Sequence, residues 1–184
     1  MLEELIIENC SPTLAGIKTG NMFSVKIKNK NNLYSEIRNL NDRLRDKGLR
    51  VIPLKVTDKF ALIYIYRPSC LKNDLNDPLA LLILKNKGYS FGNPERCIVE
   101  LVRRLEDYDT FPHEIGLFLG YPPYDVVCFM KHPCNGVKHC GCWKVYSEPE
   151  KAKRLFDKFK MCTDSYRDMH MKGKNLSQLA VKTA

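Results

Sequence analysis

Val51-Ile-Pro-Leu-Lys-Val56, then Thr57-Asp-Lys59, then Phe60-Ala-Leu-Ile-Tyr-Ile-Tyr66 is the stretch that decides the fold class. Two runs rich in β-branched and aromatic residues flank three polar ones, the pattern of a β-hairpin. Pro53 cannot donate to a ladder, so the first run is expected at a sheet edge. Upstream, Met22-Phe-Ser-Val-Lys-Ile-Lys28 alternates apolar and polar at Phe23, Val25 and Ile27, the period of a half-buried strand. Between them Leu33, Ile37, Leu40 and Leu44 recur at helical spacing, which predicts an amphipathic helix over 33–47 closed by Gly48.

Outward from this centre the pattern turns helical. Leu2 to Ile7 reads as a short helix, and Pro12, Gly16 and Gly20 make 10–20 a turn-rich segment. Asp77 and Pro78 open a helix over 79–87, and Asn93-Pro-Glu95 opens another that presents Ile98, Leu101, Val102 and Leu105. Short helices follow between Phe111 and Lys131. Cys142-Trp-Lys-Val-Tyr146 is a late strand expected to return to the sheet. Ser147-Glu-Pro-Glu150 reads as a capping box for a last helix that buries Ala152, Leu155, Phe156 and Phe159. The expectation is one α+β domain over 1–172, a small mixed or antiparallel sheet with strands mostly in the N-terminal half plus one at 142–146, covered by several helices. Residues 173–184 read as a flexible tail.

At 184 residues, with 44% apolar and 28% charged residues, the chain can bury an ordinary core, and wholesale disorder is excluded. Its apolar runs fall well short of the roughly 20 residues that span a bilayer. Three acids among the first eight residues argue against a signal peptide, so a cytoplasmic location is expected. Thirty Lys and Arg against twenty-one Asp and Glu give a net charge of +9, which favours anionic partners. Lys26, Lys28 and Lys30, then Arg43, Arg45 and Lys47, then Lys151, Lys153 and Arg154 form local clusters. None reaches the length of a nucleic-acid tail, and each reads as a solvated face. Eight cysteines without an export signal are expected to be reduced thiols. Cys10, Cys70, Cys97, Cys128 and Cys162 suit small buried hydrophobes.

Cys10-Ser-Pro-Thr-Leu-Ala-Gly-Ile-Lys18, Phe111-Pro-His-Glu-Ile-Gly-Leu-Phe-Leu-Gly-Tyr-Pro122 and Trp143-Lys-Val-Tyr146 together resemble a family of roughly 200-residue clostridial-type bacterial proteins catalogued as a domain of unknown function. Tyr64-Ile-Tyr-Arg67 and the Cys162 region fit the same resemblance, which therefore covers nearly the whole chain. It implies membership and no activity, and it points toward metal or redox physiology. Two positions depart from the family pattern: Cys128 stands where a glycine is expected and Cys142 where an aromatic is expected. The cysteine-rich stretch is thus partly peculiar to this chain.

Several groups carry chemistry. His132, Cys134, His139, Cys140 and Cys142 supply enough donors for zinc or thiolate-bound iron, although Cys-x5-Cys-x-Cys lacks paired knuckles. The alternatives are a reduced, partly exposed loop, or thiols that oxidise reversibly. His113 and Glu114 follow Pro112 as a candidate acid-base pair, with helix capping as the other reading. Cys10 with Lys18 nearby is a candidate nucleophile. Lys18, Arg67, Tyr121 and Lys144 are candidate ligands for an anion. No phosphate-binding loop, dinucleotide fingerprint or nucleophile elbow occurs. The leading expectation is a small accessory protein that binds an anionic ligand or protein partner near Lys18, Arg67, His113 and Lys144. The alternatives are a thiol- or His/Glu-dependent enzyme or redox protein, and a nucleic-acid-binding protein.

Overall fold

A computed structural model describes residues 2–90, 92–107 and 111–183. In chain order these form α1 (Leu2–Leu14), β1 (Gly20–Lys26), α2 (Lys30–Leu44), β2 (Arg50–Val56), β3 (Phe60–Tyr66), α3 (Pro68–Leu75) and α4 (Pro78–Asn86). There follow α5 (Pro94–Asp107), α6 (Ile115–Phe118), α7 (Pro123–Lys131), β4 (His139–Cys140), β5 (Lys144–Val145), α8 (Pro149–Met171) and α9 (Leu176–Leu179). The fold is α+β, mostly helical with two antiparallel sheets. Where the sequence suggests one domain, contacts group the chain into two compact units: Met1–Ser69 with Met161–Ala184, and Cys70–Lys160.

The first unit is built on the hairpin. β3 lies between β1 and β2, antiparallel to both, which puts Pro53 on an edge strand. The register slips between Pro53 and Lys55, as expected where a donor is missing. Phe23 faces Ile63, Val25 faces Ala61 and Val51 faces Ile65, so these six share one side of the sheet. They join the buried apolar faces of α1 and α2 in one core. On the opposite face of β3 the rings of Tyr64 and Tyr66 stack 4.8 Å apart.

α1 runs on through Pro12, where a turn is expected. Leu2, Ile6, Cys10 and Leu14 repeat every fourth residue and are all buried, with Ile7 beside them. Burying such a stripe is worth about 1.5–3 kcal/mol per large side chain, and an interior proline costs about 3 kcal/mol, so the stripe wins. α2 begins earlier than its leucine spacing suggests, because Asn29 caps it by accepting from Asn31 N at 2.8 Å and Asn32 N at 3.3 Å. Gly48 closes the short 3-10 turn that follows, at φ 73°.

The segment after residue 172 is not a loose tail. Asn175 and Gln178 form a capping box that opens α9, with both hydrogen bonds at 3.0 Å. Leu176, Leu179 and Ala180 lie in the core of the first unit. Arg67, fully buried, ties this segment down. Its guanidinium donates to Thr13 O (2.8 Å), Leu14 O (2.7 Å), Lys47 O (2.9 Å), Val181 O (2.8 Å) and Thr183 Oγ1 (2.8 Å). The fork thus closes the C-terminal end of α1 against two distant loops.

In the second unit, Asp77 caps α4 through Leu79 N (2.8 Å) and Ala80 N (3.1 Å), and Asn93 Oδ1 accepts from Arg96 N (3.1 Å) at the start of α5. The late strand shrinks to Lys144–Val145 and pairs with His139–Cys140 rather than with the three-stranded sheet. The backbone N–H groups of Tyr146 and Ser147, which would extend a ladder, are taken by the carboxylate of Asp125 at 3.0 Å each. Ser147, expected to cap α8, also donates its hydroxyl to Asp125 at 2.9 Å.

Arg67→Lys should destabilise the first unit by about 3–5 kcal/mol, because a lysine leaves buried carbonyls unpaired. Urea unfolding reads the loss, and limited proteolysis should show earlier cleavage after residue 172. An unchanged midpoint would contradict the role given to the guanidinium.

Candidate functional site

The buried Asp125, in the first turn of α7, organises the second unit. Oδ1 accepts from Tyr146 N, Ser147 N and Ser147 Oγ, and Oδ2 accepts from Trp143 Nε1 at 2.9 Å. Four donor groups of three residues, Trp143, Tyr146 and Ser147, converge on one carboxylate, so its buried charge is matched by hydrogen bonds. The result is a fixed indole. Trp143 packs on Tyr121 with centroids 4.8 Å apart and meets Phe156 of α8 edge-on at 4.6 Å.

Phe156 in turn seats the β4–β5 turn. A Cβ at Gly141 would lie 2.3 Å from its ring, so any other residue here would push that ring aside. His139 stacks on the same ring, with centroids 5.9 Å apart. Gly116 in α6 plays a similar part: a Cβ there would stand 2.9 Å from Val126 and 3.1 Å from Tyr121.

These contacts shape an open cleft of about 470 Å³ between α6, α7 and the β4–β5 hairpin. Trp143, Tyr121, Phe129 and Phe111 give it aromatic walls, and His113, Lys144 and Cys140 add polar groups. His113 stands edge-on to Phe129 at 5.1 Å. The Lys144 ammonium lies 5.6 Å from the centroid of the Phe129 ring and donates to Pro133 O at 2.8 Å. Tyr121 donates its hydroxyl to Cys142 O at 3.1 Å. Burial, with a smaller contribution from Cys142, pushes that phenol up to about 12, so it stays an uncharged donor at physiological pH.

The candidates read from the sequence divide between the cleft and the interior. Tyr121, Lys144 and His113 come together in the cleft. Arg67 is not available to an anion, because backbone carbonyls and Thr183 hold its guanidinium inside the first unit. Lys18 is buried and donates to Gly20 O. Cys10 is fully buried, and burial pushes its thiol up despite Lys18, the opposite of what a nucleophile needs. Glu114 turns away from acid-base work: it is 2% exposed, accepts from Tyr89 OH at 3.1 Å and lies 3.8 Å from Arg104. Burial first, and the Glu114 charge second, push the Tyr89 hydroxyl up, which keeps it a donor. Among the described residues no hydrogen bond joins His113 to Glu114.

The cysteine- and histidine-rich segment shows its thiols exposed at Cys134, Cys140 and Cys142. Among the described residues no three His, Cys, Asp or Glu side chains converge as a ligand set, the candidates His132, Cys134, His139, Cys140 and Cys142 included. The lysines of α8 behave as a wet face: Lys151 pairs with Glu148 at 3.0 Å and Lys153 with Glu150 at 2.8 Å. Among the described residues no helix is long and apolar enough to cross a membrane. Asp125 was not singled out from the sequence. An acid one turn into a helix after Pro122-Pro123 looks like an ordinary dipole partner, and its four donors lie 18 to 22 residues away.

Asp125→Asn should cost about 2–3 kcal/mol, since an amide cannot accept from all four donors. The chain has one tryptophan, so its emission reports on this site alone, and it should shift to the red as the indole loses its partner. Unchanged emission together with an unchanged urea midpoint would contradict this arrangement.

No curated protein and no solved structure matches the chain. A family model, described as a protein of unknown function (DUF3793), matches residues 6–180, nearly the whole chain, as the resemblance in its motifs implies. The chain therefore belongs to the DUF3793 family.

Proposed function

We propose that this protein is a cytosolic accessory protein that binds a small aromatic anion in the cleft between α6, α7 and the β4–β5 hairpin. The observation that carries the reading is the composition of the cleft: aromatic rings on its walls, with one ammonium and one imidazole among them. Its volume of about 470 Å³ falls within the roughly 300–1,000 Å³ typical of small-molecule pockets. A concavity of that size favours a small molecule over a protein partner or a nucleic acid. A carboxylate is the complementary head group, because Lys144 keeps further donors beyond the one given to Pro133 O. A planar ring is the complementary body, because Trp143 and Tyr121 offer faces and edges for offset stacking. Both walls are held in place before any ligand arrives, which lowers the ordering cost of binding.

Trp143 makes the test direct. Titration with 3-phenylpropanoate should quench its fluorescence saturably, and the neutral 3-phenylpropanamide should bind more weakly. Lys144→Met should weaken the acid about tenfold, or ~1.4 kcal/mol, and leave the amide unchanged. Equal affinity for acid and amide, or no saturable quenching, would contradict the proposal.

A further inference from the structure

Cys140 and Lys144 are cross-strand partners in the β4–β5 pair. Side chains directly opposite each other in an antiparallel ladder project from the same face, with Cβ atoms about 4.5–5.5 Å apart. Both of these side chains line the aromatic cleft, and His113 lines it as well. The cleft therefore brings together a thiol, an ammonium and an imidazole, beside rings that would hold a planar ligand. Cys140 is exposed, unlike the buried Cys10 and Cys97, so a ligand can reach it. Gly141 next to it packs against the Phe156 ring, where a Cβ would stand 2.3 Å from that ring, so the turn that carries Cys140 is seated on α8.

We infer that Cys140 is a nucleophile that captures an aryl-substituted α,β-unsaturated carbonyl compound in this cleft by conjugate addition. The inference rests on the proposed function, since the aryl ring is held by Trp143 and Tyr121. His113 takes the thiol proton, and the sulfur attacks the β-carbon, forming an S–C bond as the C=C π bond breaks. The electron pair moves onto the carbonyl oxygen as an enolate, where the Lys144 ammonium meets the developing charge. The imidazolium then returns the proton to the α-carbon. Nothing leaves, and no external oxidant or reductant takes part. The adduct carries the full mass of the ligand.

The experiment uses the intact protein with trans-4-phenylbut-3-en-2-one, followed by peptide mass spectrometry. Cys134 and Cys142, both exposed, serve as internal controls in the same sample. The expected result is addition at Cys140 at least about tenfold faster than at either control, because the cleft orients the enone. Lys144→Met should slow Cys140 about tenfold through loss of the enolate partner, without changing Cys134. The saturated 4-phenylbutan-2-one, which cannot react, reports on the cleft through Trp143 quenching. Saturable quenching with no preference for Cys140 would overturn the capture chemistry and leave the binding site standing. Absence of both would overturn the capture, and saturable quenching by 3-phenylpropanoate in the same sample then decides separately whether the anion site stands. Preference for Cys140 without saturable quenching would assign the rate to the thiol alone and overturn capture in the cleft.

Discussion

A carboxylate buried at 2% exposure has to be surrounded by donors, and Asp125 draws all four of its own from residues 143 to 147. An unmatched charge in that position would cost several kcal/mol, so the segment is held wherever the carboxylate is held. Much of the second unit follows. Tyr146 and Ser147 have no N–H left to extend a ladder, and β5 stops after two residues. Trp143 cannot rotate away without losing its indole bond, and so presents a fixed face to Tyr121. The cleft is the space these constraints leave open. Asp125 with its full set of partners lines it, its walls are aromatic, and its cation stands on the β4–β5 hairpin that the carboxylate anchors.

The first unit uses a charge in the same way with the sign reversed. Arg67 sits at the end of the central strand and gathers carbonyls from the end of α1, from Lys47 and from Val181. Arg67 looks functional as sequence, a guanidinium after an aromatic strand, whereas Asp125, an acid after a double proline, looks like an ordinary helix-dipole partner. Both are structural, because a buried charge with a full set of partners has no capacity left for a ligand. Lys144 differs in that its ammonium lies in the wall of an open cleft.

What could be read from the sequence was what depends on neighbours along the chain. The hairpin, the edge position of Pro53, the leucine stripe of α2 and the Asp77 cap each rest on a few adjacent residues, and each is present. Pro12 misled because the four-residue spacing of Leu2, Ile6, Cys10 and Leu14 outweighs a local breaker. The segment after residue 172 misled because Asn175 and Gln178 form a capping box, yet what holds Val181 and Thr183 is an arginine more than a hundred residues earlier. Tyr121, His113 and Lys144 were legible one by one as residues that meet ligands. Their convergence was not, since it depends on Asp125, on the missing Cβ atoms of Gly116 and Gly141, and on Phe156, none of which carries a local signal.

The most direct measurement is a proton–nitrogen correlation spectrum of the uniformly labelled protein during titration with 3-phenylpropanoate. Binding in the cleft predicts a saturable shift of the Trp143 indole N–H, with the amides of 113–129 and 140–147 moving at the same midpoint. A spectrum that stays unchanged, or shifts that concentrate elsewhere while the indole resonance holds still, would contradict the assignment of this cleft as the binding site.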